Sequence, residues 1–408
     1  KPWIDYITHC QFLLQQGRAV ADAAYFTGQS SPVEMRTGNP SLPAGYDYDA
    51  INADVLLHDA TVKNGRITLR SGASYAVLIL PPDDINMTPS MLECLRKLVK
   101  AGATVVGPRP QHSPSLAGYP ECDATVKKLT DELWGKCDGH AVQENNYGKG
   151  RIVWGKSLAD LFAEQKLKPD FEFHGANAAS RLACVHRIAG KADIYFVSNQ
   201  QRLFDSVECT FRTAGRQPEL WHPDTGVIEP APVWSAQDGR TTVRLDLEPA
   251  GSVFVIFRQA ANQADHIVSA HDSDAAETNV MPKLEIQHAV YTATDGVGET
   301  DVTAKLSELA QGGQLEITAS NDELGGDPAA DHHKELRVNY TFNGEPGHTI
   351  VSEGKTLSLP AINGTNATPQ WTPAIAASGS PVVRAWNNGQ VDLRTADGKI
   401  LRVTATDI

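Results

Sequence analysis

The chain lacks anything close to the roughly 18 consecutive apolar residues of a membrane helix, so no membrane span is expected and the sequence reads as that of a soluble protein. Basic clusters are missing as well. The longest are pairs such as Lys127-Lys128 in a chain of net charge −13, which argues against nucleic acid as a partner. None of the six cysteines (Cys10, Cys94, Cys122, Cys137, Cys184, Cys209) stands in a C-x-x-C pair, so neither a zinc site nor a disulfide framework is signalled. Four of them have apolar neighbours and are expected as buried thiols, whereas Cys122 and Cys137 fall in loop-like contexts where a bridge is worth checking. An initiating Met and an apolar signal region are also lacking, and a start at Lys1-Pro2 is what a processed or truncated chain would show.

What is present is two kinds of patterning over a length of 408 residues, more than one core usually serves. Residues 1–17 carry Trp3, Ile4, Ile7, Cys10, Leu13 and Leu14 at helical spacing, closed by Gly17. From Ala19 to about Asp170 strands and helices alternate. Val20–Phe26 is a predicted strand, Tyr46–Leu57 a helix, Tyr75–Leu80 a fully apolar central strand, Ser90–Lys100 a helix ended at Gly102, and Thr125–Trp134 another helix. After Phe171 short alternating strands take over, with turns at Gly190-Lys191, Asp224-Thr-Gly226 and Asp238-Gly239. Residues 260–282 are polar and read as a linker, and a second all-β region follows from Lys283, with a low-complexity loop over Ala361–Pro381.

The ordered motifs of the first 52 residues, Trp3-Ile-Asp-Tyr-Ile7, Val20-Ala-Asp-Ala-Ala-Tyr-Phe26 and Gly45-Tyr-Asp-Tyr-Asp-Ala-Ile-Asn52, are similar to those of glycoside hydrolase family 106, the α-L-rhamnosidases. Glu219-Leu-Trp-His-Pro-Asp-Thr-Gly226 and His186 to Asn199 resemble the same family. The resemblance runs from about Trp3 to Ile408. It implies the C-terminal part of an inverting enzyme that releases terminal L-rhamnose from glycosides or polysaccharides, with a calcium-assisted catalytic pair on a (β/α)8 barrel that would precede Lys1. On that reading no catalytic residue lies in this chain, the missing barrel and a rhamnose-containing carbohydrate are its partners, and the location is periplasmic or secreted. The domains would be a terminal barrel helix (1–18), a flavodoxin-like or glutamine-amidotransferase-like α/β domain (19–172), a β-sandwich (173–259), the linker (260–282) and a second β-sandwich-like domain (283–408). The rival reading is a non-catalytic carbohydrate-binding or scaffolding protein.

Within the chain, Asp47, Tyr48, Asp49 and Asn52 are the substrate-binding candidates, because a carboxylate beside an aromatic ring grips both the hydroxyls and the face of a sugar. The plainer reading of the same residues is an Asp cap and a packed Tyr at a helix start. Trp221 is expected in the sandwich core. Asn321, Asp322 and Asp327 offer oxygens for calcium, but their spacing is not that of an EF-hand and loop capping explains them; no metal site is assigned. An amidotransferase would need a Cys on a tight strand-to-helix elbow, and Cys94 lies mid-helix in Leu92-Glu-Cys-Leu95. Gly72-Ala-Ser-Tyr-Ala76 likewise lacks the second Gly of a hydrolase elbow and precedes its strand.

Overall fold

The apolar stripe of the first residues winds into helix α1 (Pro2–Leu14) in the computed structural model, which describes residues 2–30, 39–175, 180–261, 266–273, 283–310, 315–342, 344–359, 371–376 and 380–406. Gly17 follows with φ +57°, and a Cβ there would lie 1.9 Å from the Ile188 carbonyl oxygen, so only glycine lets the chain turn this tightly against its neighbour. One face of α1 (Tyr6, Cys10, Leu13, Leu14) packs on Ile194, Phe196, Phe254, Ile256 and Trp221 of a β-sheet. That face thus finds its partner inside the chain. On the opposite face Ile4 and Phe12 are 62% and 64% exposed, and Trp3, stacked on Tyr6 in the first turn, is 66% exposed.

The run Tyr75–Leu80 supplies Val77–Ile79, a strand buried on both faces. It is the middle one of five parallel strands in the spatial order Tyr48–Ile51, Ala23–Phe26, Val77–Ile79, Thr104–Val106, Gly150–Val153, with Glu144–Tyr147 antiparallel at the edge. Such a sheet needs cover on both sides. Helices α2 (Ala53–Asp59), α3 (Pro89–Ala101) and α4 (Glu121–Trp134) cover one side through Leu56, Leu92, Leu95, Val126, Leu133 and Trp134. Helix α5 (Leu158–Glu164) covers the other through Leu158, Leu161 and Phe162. At about 1.5–3 kcal/mol for each large apolar side chain removed from water, these contacts hold the layer together. Helix α3 shows why its ends fall where they do. The Thr88 hydroxyl accepts from the Met91 N–H, Pro89 occupies the first turn, and Gly102 at φ +127° sends its N–H back to the Leu98 and Val99 carbonyls.

One helix prediction is corrected. Tyr46–Leu57 is a strand, Tyr48–Ile51, followed after Asn52 by the short α2. Parallel pairing with Ala23–Phe26 satisfies the backbone of the β-prone Tyr48 and Ile51, an outcome no local pattern announces.

The next layer is two antiparallel sheets face to face. One holds Arg18–Ala19, Leu182–Ala189, Ala192–Asn199, Ser252–Ala260, Arg216–Trp221 and Ile228–Pro230; the other Phe171–Gly175, Asp205–Phe211, Arg240–Leu247 and Trp234–Gln237. Tyr195, Val197, Cys209, Phe211, Trp234, Val255 and Phe257 fill the space between them. Beyond this sandwich lie two further cores. One joins Leu284–Ala293, Lys334–Phe342 and helix Thr303–Leu309 through Tyr291, Leu306, Leu336 and Val338. In the other, Ile267–Asp272, inside the stretch read as a linker, pairs with Gly389–Thr395 and shares a core of Val233, Ile267, Trp371, Val391 and Leu393. The remainder of that stretch (262–265 and 274–282), and most of the low-complexity loop (361–370 and 377–379), lie outside the described residues.

Candidate functional site

Asp47 and Asn52 lie at opposite ends of one strand, roughly 16 Å apart at about 3.3 Å per residue, so the four candidate residues do not converge on one point. Asn52 caps α2, its side-chain oxygen accepting from the Val55 N–H at 3.0 Å. Asp49 accepts from the Tyr75 hydroxyl at 2.9 Å, and the Tyr48 ring meets Tyr25 edge-on at 5.0 Å. The Asp47 carboxylate differs from both. It accepts from the Tyr48 N–H at 2.8 Å and has no cation beside it among the described residues. Although Asp47 keeps contact with solvent, displacement of water by the surrounding protein, reinforced by the Asp49, Asp170 and Asp22 carboxylates, pushes its pKa above the usual range. A carboxylate perturbed in this way without a cation partner is a site signal of general kind.

Asp47 sits at the rim of an ionic network that sequence reasoning missed. The network joins the amino end of the parallel sheet to the sandwich. Asp22, 1% exposed, receives Arg212 Nη2 at 2.9 Å and Arg66 Nη2 at 3.4 Å. Arg212 also meets Asp170 at 3.1 Å, and Asp170 holds His186 Nδ1 at 2.9 Å. The other ring nitrogen, Nε2, meets Asp193 at 3.2 Å, and Asp193 is paired in turn with Arg216 and the Thr213 hydroxyl. A ring with a carboxylate at each nitrogen must donate from both, so His186 is an imidazolium. Burial alone would discharge it, but the hydrogen bonds to Asp170 and Asp193 outweigh that and raise its pKa. Burial likewise works against the Asp170 carboxylate, yet His186 and Arg212 hold its pKa below the ordinary value. Tyr195 stacks on the imidazolium at 3.8 Å. With every acid matched by a base and little solvent access, the network is suited to fastening two layers and offers no free group for proton transfer. Its members come from positions 22 to 216, so no local motif could have revealed them.

The carboxyl end of the sheet, where α/β folds usually take ligands, is built of polar loops. Ser30 donates to Asp84 at 2.8 Å, Asn86 donates to the same oxygen at 3.1 Å, and the Gln29 side chain accepts from the Thr88 N–H at 2.9 Å. Beside them an open groove of about 450 Å³ is edged by Arg109, His112, Asp123, Lys127 and Asp131, in which Asp131 is paired with both Arg109 and Lys127.

The remaining candidates resolve plainly. All six cysteines are free, with Cys122 and Cys137 both buried; Cys122 lies in α4, not in a loop, and neither is bridged. Trp221 lies under α1, half-buried, donates to Glu219 at 2.9 Å and carries the Arg258 guanidinium over its ring, so it packs between elements instead of in the sandwich core. Asn321 accepts from the Tyr291 hydroxyl, and Asp327 is paired with the buried Lys334 at 3.2 Å. Among the described residues no group of three or more His, Cys, Asp or Glu side chains is placed to hold a metal, and no helix is long and apolar enough to cross a membrane.

A sequence profile of glycoside hydrolase family 106, described as alpha-L-rhamnosidase, matches residues 1–234. A protein of Formosa agariphila, provisionally named a beta-glucuronidase, is 36% identical over 357 residues, which is 87% of this chain and 29% of that protein. A solved rhamnosidase from Novosphingobium sp. PP1Y is similar with a TM-score of 0.57 at 28% identity, over 88% of this chain and 35% of the other. The chain therefore spans about a third of the length of these relatives.

Proposed function

The chain belongs to glycoside hydrolase family 106, the α-L-rhamnosidases, and from that premise we propose that it forms the accessory C-terminal part of an exported enzyme, periplasmic or secreted, that hydrolyses terminal α-L-rhamnosides with inversion. The acid and base, about 6.5–9.5 Å apart in an inverting enzyme, belong in this reading to a (β/α)8 barrel in the same polypeptide, where calcium would assist. The observation that carries it is α1. One face is fastened to the sandwich while Trp3, Ile4 and Phe12 stand bare, and an apolar face of this kind marks an interface. The relatives, about three times longer than this chain, have the additional length for a barrel to cover it.

In this reading residues 1–18 are barrel-edge helix, 19–172 a flavodoxin-like domain, 173–259 a sandwich and 283–408 a second β-sandwich-like domain, and the 260–282 connection contributes the strand Ile267–Asp272 to the core that includes Gly389–Thr395. The spatial strand order, in which the second strand precedes the first, third, fourth and fifth, supports the flavodoxin-like assignment. An amidotransferase-like ancestor would have kept the shape without the nucleophile, since the Cys94 thiol sits mid-helix and donates to the Leu56 carbonyl. Of the four candidate residues, Asp47 and the adjoining Tyr48 are the pair assigned to substrate.

The test compares the 408-residue chain with a longer polypeptide that includes the segment preceding Lys1, using an aryl α-L-rhamnoside and following the anomer of the released sugar by NMR. Background release from the chain alone, and β-rhamnose as first product from the longer enzyme at roughly 1–10³ per second, are expected. Turnover of that size by the 408-residue chain alone would overturn the assignment of chemistry to the barrel.

A further inference from the structure

A cleft of about 560 Å³ lies away from the parallel sheet, where α1, the sandwich and the strand Pro381–Ala385 with its following turn come together. Its volume is in the range that buries a small ligand of about two pyranose rings. Along part of its wall the polar groups are already engaged with one another. His222 Nε2 meets Glu229 at 3.0 Å, Arg244 Nε meets Asp246 at 3.2 Å, and the Tyr6 and Ser252 hydroxyls are 2.9 Å apart. Other lining groups are not. Asp224, Glu248 and Arg384 are exposed and make no side-chain hydrogen bond or ion pair among the described residues. Three aromatic side chains line the same cleft: Tyr6, Phe204 and Trp386, the last 49% exposed and outside every core.

We infer that this cleft is an ancillary binding site for a neutral oligosaccharide. The two chemistries present match the two a pyranose offers: aromatic rings for its C–H faces, and uncommitted carboxylate and guanidinium groups for its hydroxyls. A uronate is disfavoured, because two unpaired carboxylates face it against one guanidinium. Since the walls come from residues as distant as Tyr6 and Trp386, an occupant would also tie the last β-strands to the sandwich and α1. The inference rests on the carbohydrate-active reading above, but it concerns binding without turnover.

The test is calorimetry and tryptophan fluorescence on the 408-residue chain, with a neutral rhamnose-terminated pentasaccharide and pentagalacturonate as probes. The neutral probe should bind with Kd near 0.1–1 mM, at least tenfold tighter than pentagalacturonate. Trp386→Ala and, separately, Asp224→Asn should each weaken it about tenfold while leaving the melting temperature unchanged, as their exposure requires. No binding of the neutral probe at 5 mM, undiminished binding in both variants, or equal binding of pentagalacturonate would overturn the site. Rhamnoside hydrolysis by the longer enzyme is read independently, so an empty cleft in an active enzyme sinks this inference alone, and a filled cleft in an inactive one sinks the catalytic proposal alone.

Discussion

The two ends of the parallel sheet spend their polar residues differently. At the carboxyl end, Gln29, Ser30, Asp84, Asn86 and Thr88 bond mostly to one another within loops next to an open groove. At the amino end, buried Asp22 and Asp170 and half-buried Asp193 pair with Arg66, Arg212, Arg216 and His186 beneath the sandwich, with Asp47 at the rim. Charges buried with partners fasten layers, whereas a carboxylate without a partner is available to a ligand. By that criterion the usual ligand end of an α/β sheet is the less distinctive end here, and Asp47 is the acid to follow.

Removing a buried partner tests the fastening most severely. Asp22→Ala leaves Arg66 and Arg212 facing each other without their shared carboxylate, and breaking a buried pair from one side costs about 3–5 kcal/mol. Urea denaturation should show that loss, together with separate unfolding of the α/β layer and the sandwich. A change below about 0.5 kcal/mol, the size of an ordinary surface substitution, would mean that the network is ornamental.

Acidity probes the same network more gently. The folded-state pKa of His186 lies above its ordinary 6.5, so the stabilisation from its charge is complete below that pH and fades as pH rises through the higher folded value. Asp170 is shifted the opposite way, and its contribution is lost only as pH falls through its depressed folded pKa, well below this window. Wild-type stability should therefore decline from about pH 6.5 upward, and His186→Gln should be least stable relative to wild type near pH 6, with the gap narrowing as pH rises. A gap that widens with pH would show that the ring is neutral in the fold.

At the rim the expected effect moves from stability to catalysis. Asp47→Asn removes a charge that its surroundings already disfavour, so at pH 7 folding should be unchanged or slightly improved. If the carboxylate grips the sugar in the longer enzyme, the lost charge-assisted hydrogen bond is worth roughly 1.5–3 kcal/mol, and kcat/KM falls about ten- to a hundredfold. Unchanged kcat/KM would strip the amino end of any role beyond fastening.

How much of this was legible in the chain follows from how local each signal is. The apolar run Val77–Ile79, the Thr88 and Gly102 ends of α3, and the alternating strands Ala192–Asn199 and Arg240–Leu247 announce themselves within a few residues. Tyr48–Ile51 does not, because only pairing with Ala23–Phe26 makes it a strand. Ile267–Asp272 likewise takes its conformation from Gly389–Thr395, more than a hundred residues later. For the site, residue types pointed to Asp47–Asn52 but could not say that the strand separates them, nor that Asp49 is already taken by Tyr75. The ionic network was invisible for the same reason: Asp22, Asp170, His186 and Arg212 are ordinary surface residue types until the fold buries them together.

The smallest expected effect lies at the other end of that strand, and it separates a cap from a ligand contact within the original four candidates. Asn52 accepts from the Val55 N–H and satisfies one of the donors that α2 exposes at its start. Helix α2 spans only seven residues, with Leu56 fully buried against the layer of α3, so it relies on this cap and that packing more than on its own propensity. Asn52→Ala should therefore cost about 0.5–2 kcal/mol, and Asn52→Asp almost nothing, because Asp caps as well as Asn and its charge favours the positive end of the helix. Asp49→Asn is the companion control, keeping an oxygen acceptor for the Tyr75 hydroxyl and changing stability by no more than about 0.5 kcal/mol. All three variants should keep wild-type kcat/KM in the longer enzyme. If Asn52→Asp folds normally but loses activity, the side-chain amide is needed by substrate, and the carboxyl end of the strand, not its amino end, is the one that faces the sugar.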